Sequence, residues 1–229
     1  MIKLLFNKIL LFRQTFFKKI NKNFYSQFGE DKILNELIPN NFTNGFYVDV
    51  GCFHPKKYSN TYMLFRKGWK GINIDMEKDK IESFNLARPS DYNFLGAISD
   101  KIEKVKIYRN QKFGVSSTIN EDFIKKEDYI DEDYIQTTTL NVVLENSPFK
   151  GKKIDFLNID AEGNDFKVLK SLDFDIYNPS IIIIETHLKK IDEIINSEIY
   201  LFVISKKYML KSWNIYSLIF IKESYYEDN

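Results

Sequence analysis

The chain has little of what several common site architectures require. It contains one cysteine, Cys52, and two histidines among 229 residues. A single cysteine excludes an intrachain disulfide framework and fits a reducing compartment. With only two histidines to help it, that cysteine also argues against a structural zinc site. The net charge of +1 gives no support to nucleic-acid binding by the chain as a whole.

Two phosphate-binding motifs are missing as well. Residues 51–56 follow a strand-like run and have the sequence GCFHPK, with one glycine. A dinucleotide site would have G-x-G-x-x-G at this point, and a P-loop would end in Gly-Lys-Ser/Thr. Pro55 also disfavours a long helix that starts directly at the turn. These absences weaken one alternative for this kind of sheet, an NAD-dependent nucleotide-sugar oxidoreductase.

Residues 1–24 carry basic charge and no acidic residue. The basic residues are Lys3, Lys8, Arg13, Lys18, Lys19 and Lys22. Apolar residues recur among them at helical spacing, so we expect a basic amphipathic helix in front of a main domain at 25–229. The charges interrupt the apolar run and no small-residue cleavage site follows, which disfavours a signal peptide or a membrane span. The helix could pack on the domain, on a second copy of the chain, or on a membrane surface.

The rest of the chain alternates strand-like and helix-like segments. Strands are predicted at 46–50, 71–75, 92–98, 154–159 and 181–185, with helices between them and a hairpin over 208–213 and 216–221. This alternation predicts a mainly parallel, doubly wound α/β sheet with a closing antiparallel hairpin. Residues 105–108 are typical of an edge strand, and 110–133 are predicted to form a loop or lid near the site.

Two acidic residues end neighbouring strands of this predicted sheet. Asp49 lies at the end of the first strand and is followed by Gly51, and Asp75 ends the next strand 26 residues further on. Open α/β sheets bind ligands at the carboxyl ends of their strands, and this spacing fits a β-α-β unit in which Asp75 accepts hydrogen bonds from a ribose diol. Gly51 allows a sharp turn and a close approach to a ligand. Helix capping by both acids is the alternative.

Further polar residues follow the fourth and fifth strands. Asp160 and Glu162 come after 154–159, and Glu185 and His187 come at the end of 181–185. Carboxyl ends of adjacent parallel strands meet at one edge, so we expect these four side chains to converge. Asp160 is our first candidate for a general base and His187 our second. The group could also hold Mg²⁺ or Mn²⁺, while helix capping and a structural histidine are the alternatives.

In ordered segments from about Tyr25 to the C-terminus, the chain resembles the FkbM methyltransferases. The segments are 26–31 (SQFGED), 48–51 (VDVG), 54–55 (HP), 59–61 (SNT), 68–75 (GWKGINID) and 155–163 (DFLNIDAEG), followed by 181–185. The resemblance implies a Rossmann-like class I methyltransferase fold with a seven-stranded sheet and helices on both faces. It also implies S-adenosylmethionine as the cofactor and an O-methyl product, often on a glycan or secondary metabolite.

The resemblance also suggests where the cofactor and acceptor bind. The implied cofactor-binding residues are Asp49, Gly51, Cys52, His54, Ser59, Asn60, Thr61, Asp75, Met76, Asp91 and Ala97. Met76 would pack on adenine, Asp91 and Ala97 would face the base, and residues 59–61 would bind the methionine carboxylate or cap a helix. Ser116, Ser117 and Thr118 could bind a sugar, with a plain turn as the alternative.

The function expected from these features is O-methylation of a hydroxyl on a sugar or glycan precursor, such as a capsule or other surface saccharide. The expected location is cytoplasmic, either free or peripheral at the inner membrane surface. A non-catalytic, membrane-associated scaffold with a decayed pocket is the remaining alternative. The intact set of Asp49, Gly51 and Asp75 speaks against decay.

Overall fold

A computed structural model describes residues 24–109, 117–124 and 131–227. The helix predicted for 1–24 therefore lies outside the described residues except for Phe24, and so does Ser116. None of the helices in the described part of the chain is long and apolar enough to cross a bilayer.

The strands and helices follow the predicted alternation. The strands are β1 (Phe46–Val50), β2 (Lys70–Asp75), β3 (Tyr92–Leu95), β4 (Ala97–Ile98), β5 (Lys104–Arg109), β6 (Ser117–Thr118), β7 (Asp131–Thr138), β8 (Phe156–Ile159), β9 (Ile181–Glu185), β10 (Tyr208–Asn214) and β11 (Ser217–Lys222). The helices are α1 (Glu30–Leu37), α2 (Tyr62–Arg66), α3 (Lys78–Ala87), α4 (Leu140–Glu145), α5 (Asp165–Lys170), α6 (Ile191–Ile195), α7 (Glu198–Ser205) and α8 (Glu223–Glu227), with a 3₁₀ turn at Glu121–Phe123.

The central sheet is mixed and mostly parallel, as the sequence predicts. It has seven strands in the order β10-β11-β9-β8-β1-β2-β3. Strand β11 is antiparallel to both β9 and β10, whereas the other neighbours are parallel. The strands β1, β2, β8 and β9 therefore present their carboxyl ends at one edge, where α/β sheets place ligands.

Helices cover both faces of this sheet because side chains alternate along each strand. On β1, Phe46, Val48 and Val50 pack into one core cluster with residues of α4 to α7. Tyr47 points to the other face, where Leu34 of α1 and residues of α2 complete a second cluster. All five residues of β1 are buried. A strand buried on both faces favours apolar residues at every position, and Asp49 is the one exception in β1.

A second, four-stranded sheet in the order β4-β7-β5-β6 was not predicted. The strand predicted at 92–98 divides at Gly96, and its second part, β4, pairs with β7. The loop predicted up to residue 133 contains the start of β7, which pairs antiparallel with β5. Arg109 pairs with Asp131 in the backbone register, and its guanidinium lies 3.8 Å from the Asp133 carboxylate.

Candidate active site

A cavity of about 350 Å³ lies at the carboxyl edge of the central sheet. It is bounded by the ends of β1, β2, β8 and β9, the residues after β3, and the segment 117–119. The predicted site residues that line it are Asp49, Gly51, Cys52, His54, Ser59, Asn60, Asp75, Met76, Ala97, Ser117, Asp160, Glu162, Glu185 and His187. The sheet geometry thus brings most of the sequence candidates to a single cavity.

The Asp49 carboxylate is held from two sides. Thr61 Oγ1 donates a hydrogen bond of 2.7 Å to one oxygen, and Asn158 Nδ2 donates one of 2.9 Å to the other. Asn60 in turn donates to Asn158 at 2.9 Å. Burial raises the pKa of Asp49, while the Thr61 bond, the charge of Arg88 and the Asn158 bond oppose that rise. The network fixes the orientation of a buried carboxyl group at the end of β1.

Gly51 is required by the backbone at the first turn. Its φ is +80°, in the left-handed region that favours glycine. A Cβ atom at this position would overlap the carbonyl oxygen of Asp160. The turn after β1 and the turn after β8 are therefore in direct backbone contact, and no larger residue fits between them.

The Asp75 carboxylate caps the turn after β2. One oxygen accepts the Glu77 N–H at 2.8 Å and the other accepts from Lys80 Nζ at 3.1 Å. Burial raises the pKa of Asp75, and Lys80 and the Glu77 N–H partly offset the effect. The capping alternative is thus present in part, because Asp75 binds a backbone N–H while its side chain also lines the cavity. Lys80 lines it too and was not among the sequence candidates.

Arg88, which was not among the sequence candidates, is a fully buried cation beside the loop at 55–61. Its guanidinium donates to Pro55 O at 3.1 and 2.5 Å, to Thr61 Oγ1 at 2.9 Å and to Ser59 Oγ at 3.0 Å. The residue joins the end of α3 to the loop at 55–61. Ser59 also accepts the Tyr62 N–H at 3.1 Å, so it caps α2 as well as lining the cavity.

The four side chains predicted to converge, Asp160, Glu162, Glu185 and His187, meet at the ends of β8 and β9, and we call them the acidic cluster. His187 Nε2 lies 3.3 Å from Glu185 Oε1. Burial and then the charges of Glu185, Glu162 and Asp165 raise the pKa of Asp160 well above its ordinary value. Burial and neighbouring carboxylates raise the pKa of Glu185 in the same way. Several carboxyl groups therefore share a poorly solvated space with few compensating cations.

Asp165 shapes the turn that carries this cluster. Its carboxylate accepts the Ala161 N–H at 2.7 Å and the Gly163 N–H at 3.0 Å. Glu162 between them has a φ of +48°. Asp165 therefore makes the backbone bonds of this turn, and neither Asp160 nor Glu162 does so among the bonds of the described residues.

The segment at 117–124, from the predicted lid, packs on the same turn. Thr118 Oγ1 donates to Glu162 O at 2.7 Å, and Asn120 Nδ2 donates to Gly163 O at 2.6 Å. The Phe123 ring lies 4.9 Å from the His187 ring. This segment closes one side of the acidic cluster.

Three predicted contacts do not fit the structure, because Thr61, Asp91 and Thr118 are not among the residues that line the cavity. Asp91 precedes β3, so it lies at the amino end of that strand, away from the ligand edge. It binds the Tyr47 hydroxyl and accepts the Gly71 N–H at 3.1 Å. Thr61 is fully buried and supports Asp49, and Thr118 supports Glu162 through its carbonyl group.

Several cavity residues were missed as candidates. They include Gln27, Phe53, Tyr58, Lys80, Asn158, Asn164 and Tyr216. Gln27 belongs to the segment 26–31 that carries the family resemblance, which was a usable signal. Tyr216 comes from the hairpin between β10 and β11, and its ring lies 5.5 Å from that of His187. Only the three-dimensional fold brings that hairpin to the site.

The fold and the cavity are those of an α/β protein that binds its ligand at the carboxyl edge of a mostly parallel sheet. A sequence model of the methyltransferase FkbM domain matches residues 48–208, which is more than half of the chain. The chain belongs to the FkbM methyltransferase family.

A solved structure shares this fold. The crystal structure of a methyltransferase FkbM from Methylobacillus flagellatus matches with a TM-score of 0.55 at 11% identity, over 86% of this chain and 48% of that chain. This chain thus spans about half the length of that protein. A TehB-like SAM-dependent methyltransferase from Corynebacterium glutamicum matches with a TM-score of 0.43 at 11% identity, over 95% of this chain and 97% of that chain. No curated protein matches the chain significantly.

Proposed function

We propose that the protein transfers the methyl group of S-adenosylmethionine to a hydroxyl oxygen of a sugar or glycan precursor. The observation that carries the proposal is that Asp49 and Asp75, at the ends of adjacent strands, share one cavity with the acidic group formed by Asp160, Glu185 and their neighbours. One half of the cavity suits a nucleoside-containing cofactor, and the other half suits the hydroxyl that reacts.

The cofactor half divides by chemistry. Asp75 accepts hydrogen bonds from the ribose diol, since a carboxylate oxygen can accept a further bond beside those from Lys80 and Glu77. Asp49 and Gly51 face the methionine end, where the Asp49 carboxylate attracts the ammonium group and the glycine leaves room for the chain. Met76 and Ala97 offer apolar surface to the adenine ring.

The reaction is an in-line displacement at the methyl carbon. The acceptor oxygen forms a bond to that carbon while the carbon–sulfur bond breaks, giving a methyl ether and S-adenosylhomocysteine. The hydroxyl proton passes to the Asp160 carboxylate, with His187 as the second candidate. The main contribution of the protein is to hold the two reactants in line, which lowers the entropic part of the barrier.

The acceptor half of the cavity is polar and aromatic. Gln27, Ser117, Asn164 and Glu162 can pair with sugar hydroxyls, and the Tyr216 ring offers a face for packing. These groups support a hydroxyl-rich acceptor, in agreement with the acceptors that the family resemblance implies.

The test is methyl transfer from S-adenosylmethionine with a deuterated methyl group to a panel of nucleotide-linked sugars, followed by mass spectrometry. Simple phenols and amines are included as comparison acceptors. We expect one sugar class to gain the label while an equal amount of S-adenosylhomocysteine forms. Labelling of the phenols or amines and of no sugar would overturn the acceptor class. The absence of transfer to any acceptor, together with no binding of the donor, would overturn the methyltransferase.

A further inference from the structure

Three side chains of the acidic cluster have the arrangement of metal ligands. Glu162, Glu185 and His187 can each place one ligand atom so that these atoms lie within 4.8 Å of one another. A metal ion at about 2.0–2.2 Å from its ligands requires them to be about 3–4 Å apart, so small side-chain rotations suffice. The His187 side chain is 46% exposed and has room for such a rotation.

The backbone around these side chains is fixed independently of any ion. Asp165 binds the Ala161 and Gly163 N–H groups on either side of Glu162, and Thr118 binds the Glu162 carbonyl group. Glu185 ends β9, which is paired on both sides within the sheet. The ligand directions are therefore set by the fold rather than by a loose surface loop.

A second observation points to a missing partner. Glu185 Oε2 is fully buried and accepts no hydrogen bond from an N–H or hydroxyl group of the described residues. Its neighbour is the Asp160 carboxyl group, which can bond to Glu185 only when one of the two carries a proton. A buried carboxylate oxygen without a partner is unfavourable, and buried polar atoms in native proteins are nearly always paired. The other Glu185 oxygen already faces His187 at 3.3 Å. A cation at this point would take the place of that shared proton.

The charge balance favours the same conclusion. Asp160, Glu162 and Glu185 line one cavity at the ends of β8 and β9, and the Asp165 carboxylate binds the backbone on either side of Glu162. Lys80, which also lines the cavity, is bound to Asp75, and Glu185 faces the His187 imidazole. Bringing like charges together in poorly solvated space is unfavourable unless protons or a cation compensate them.

We propose that Glu162, Glu185 and His187 bind one divalent transition-metal ion, for which Mn²⁺ is the probe. A set of two carboxylates and one imidazole suits Mn²⁺ or Zn²⁺ better than Mg²⁺, which prefers oxygen ligands and retains water. Three protein ligands leave coordination positions open. The role of the ion rests on the proposed function: a bound ion would supply Lewis acidity at the acceptor hydroxyl, whose proton Asp160 accepts.

The test is titration of the chelator-treated, full-length protein with Mn²⁺, in which electron paramagnetic resonance measures the free ion. We expect saturable binding of one ion per chain. Glu185→Gln should abolish it, and His187→Ala should weaken it by more than about tenfold, since even outer-shell changes cost 10–100-fold. Glu193→Gln is the matched control, because Glu193 is an exposed acid of α6 that pairs with Lys190, and it should bind as the parent does.

Two outcomes overturn the site: no saturable Mn²⁺ binding to the parent protein, or unchanged binding in both ligand variants. If Glu185→Gln fails to fold, the His187→Ala variant provides the test, because the His187 side chain is half-exposed and its replacement should be tolerated. Calorimetry with S-adenosylmethionine in the presence of chelator separates this site from the proposed function. If the protein binds the donor but not Mn²⁺, only the metal-site proposal is refuted. If it binds Mn²⁺ but not the donor, the proposed methyltransferase function is refuted and the metal site stands.

Discussion

The α-carbon of Gly51 faces the backbone carbonyl of Asp160 so closely that a Cβ atom would overlap the carbonyl oxygen. This contact joins the turn after β1 to the turn after β8 that begins the acidic cluster. A side chain added at Gly51 would therefore displace the backbone of the other turn.

Gly51→Ala should destabilise the protein and abolish donor binding. Gly151→Ala is a matched control, because Gly151 also has a positive φ, of +69°, but an added Cβ would meet nothing within 4 Å. The free energy of unfolding of the control should fall by only about 1–2 kcal/mol, the cost of holding alanine at a positive φ. Denaturant unfolding and calorimetry with the donor measure both effects. Equal losses in the two variants would contradict the importance of the contact with Asp160.

Asp75→Ala should weaken binding of S-adenosylmethionine by about 1.5–3 kcal/mol, the value of hydrogen bonds to a charged group. Asp79→Ala changes an exposed acid of α3 nearby and should bind as the parent does. Calorimetry on both variants gives the comparison. If the folded Asp75→Ala variant has an unchanged dissociation constant for S-adenosylmethionine, then Asp75 does not bind the ribose.

Donor affinity should fall as the pH falls through the raised pKa of Asp75. Burial raises that pKa in the free protein, and the ribose hydroxyls bind best to the ionised carboxylate. Affinity is therefore complete above this pKa and is lost progressively below it. Asp75→Asn cannot ionise, so its affinity should be lower and should lack this pH dependence. The same pH profile in both proteins would show that another group is responsible.

Arg88→Met should lower the free energy of unfolding by about 3–5 kcal/mol, because it leaves buried acceptors and the Asp49 carboxylate without their cation. Arg66→Met is the control: Arg66 is exposed and binds only the Tyr25 hydroxyl among the bonds of the described residues. The free energy of unfolding of this control should fall by no more than about 1 kcal/mol. Urea unfolding of both variants decides, and a similar small loss in both would contradict the role given to Arg88.

Asp160→Asn should lower kcat by about 10²–10⁴-fold, as expected for a lost general base. Donor affinity should stay close to that of the parent, because Asp160 acts on the acceptor. Initial rates are measured with the unmethylated form of the sugar that gains the methyl group in the acceptor screen. Full turnover of this variant, both with and without chelator, would refute the base role of Asp160 and its place beside a metal ion.

The parallel strands and their terminal acids could be predicted because they depend on local patterns. β1 and β9 are continuous apolar runs buried on both faces, and Asp49, Asp75 and Glu185 follow from the rule that ligands bind at the carboxyl ends. The convergence of these side chains required only that the strands be neighbours and parallel.

Other features depend on contacts between distant parts of the chain. β5 agrees with the edge strand predicted at 105–108, but its partner β7 begins in an acidic segment that was predicted to be a loop. Arg88 is fully buried although arginine is usually exposed, because Pro55 and Ser59 approach it from another element. Asp91 was misplaced because a residue before a parallel strand lies at the opposite end from the ligand.

Isothermal calorimetry of the full chain with S-adenosylmethionine, S-adenosylhomocysteine and NAD tests the proposed methyltransferase activity at its first step. We expect both sulfur compounds to bind at one site per chain and Asp75→Ala to weaken the binding of both, while NAD does not bind. Binding of NAD without binding of either sulfur compound, or no binding of any of the three by the folded protein, would contradict the proposed activity.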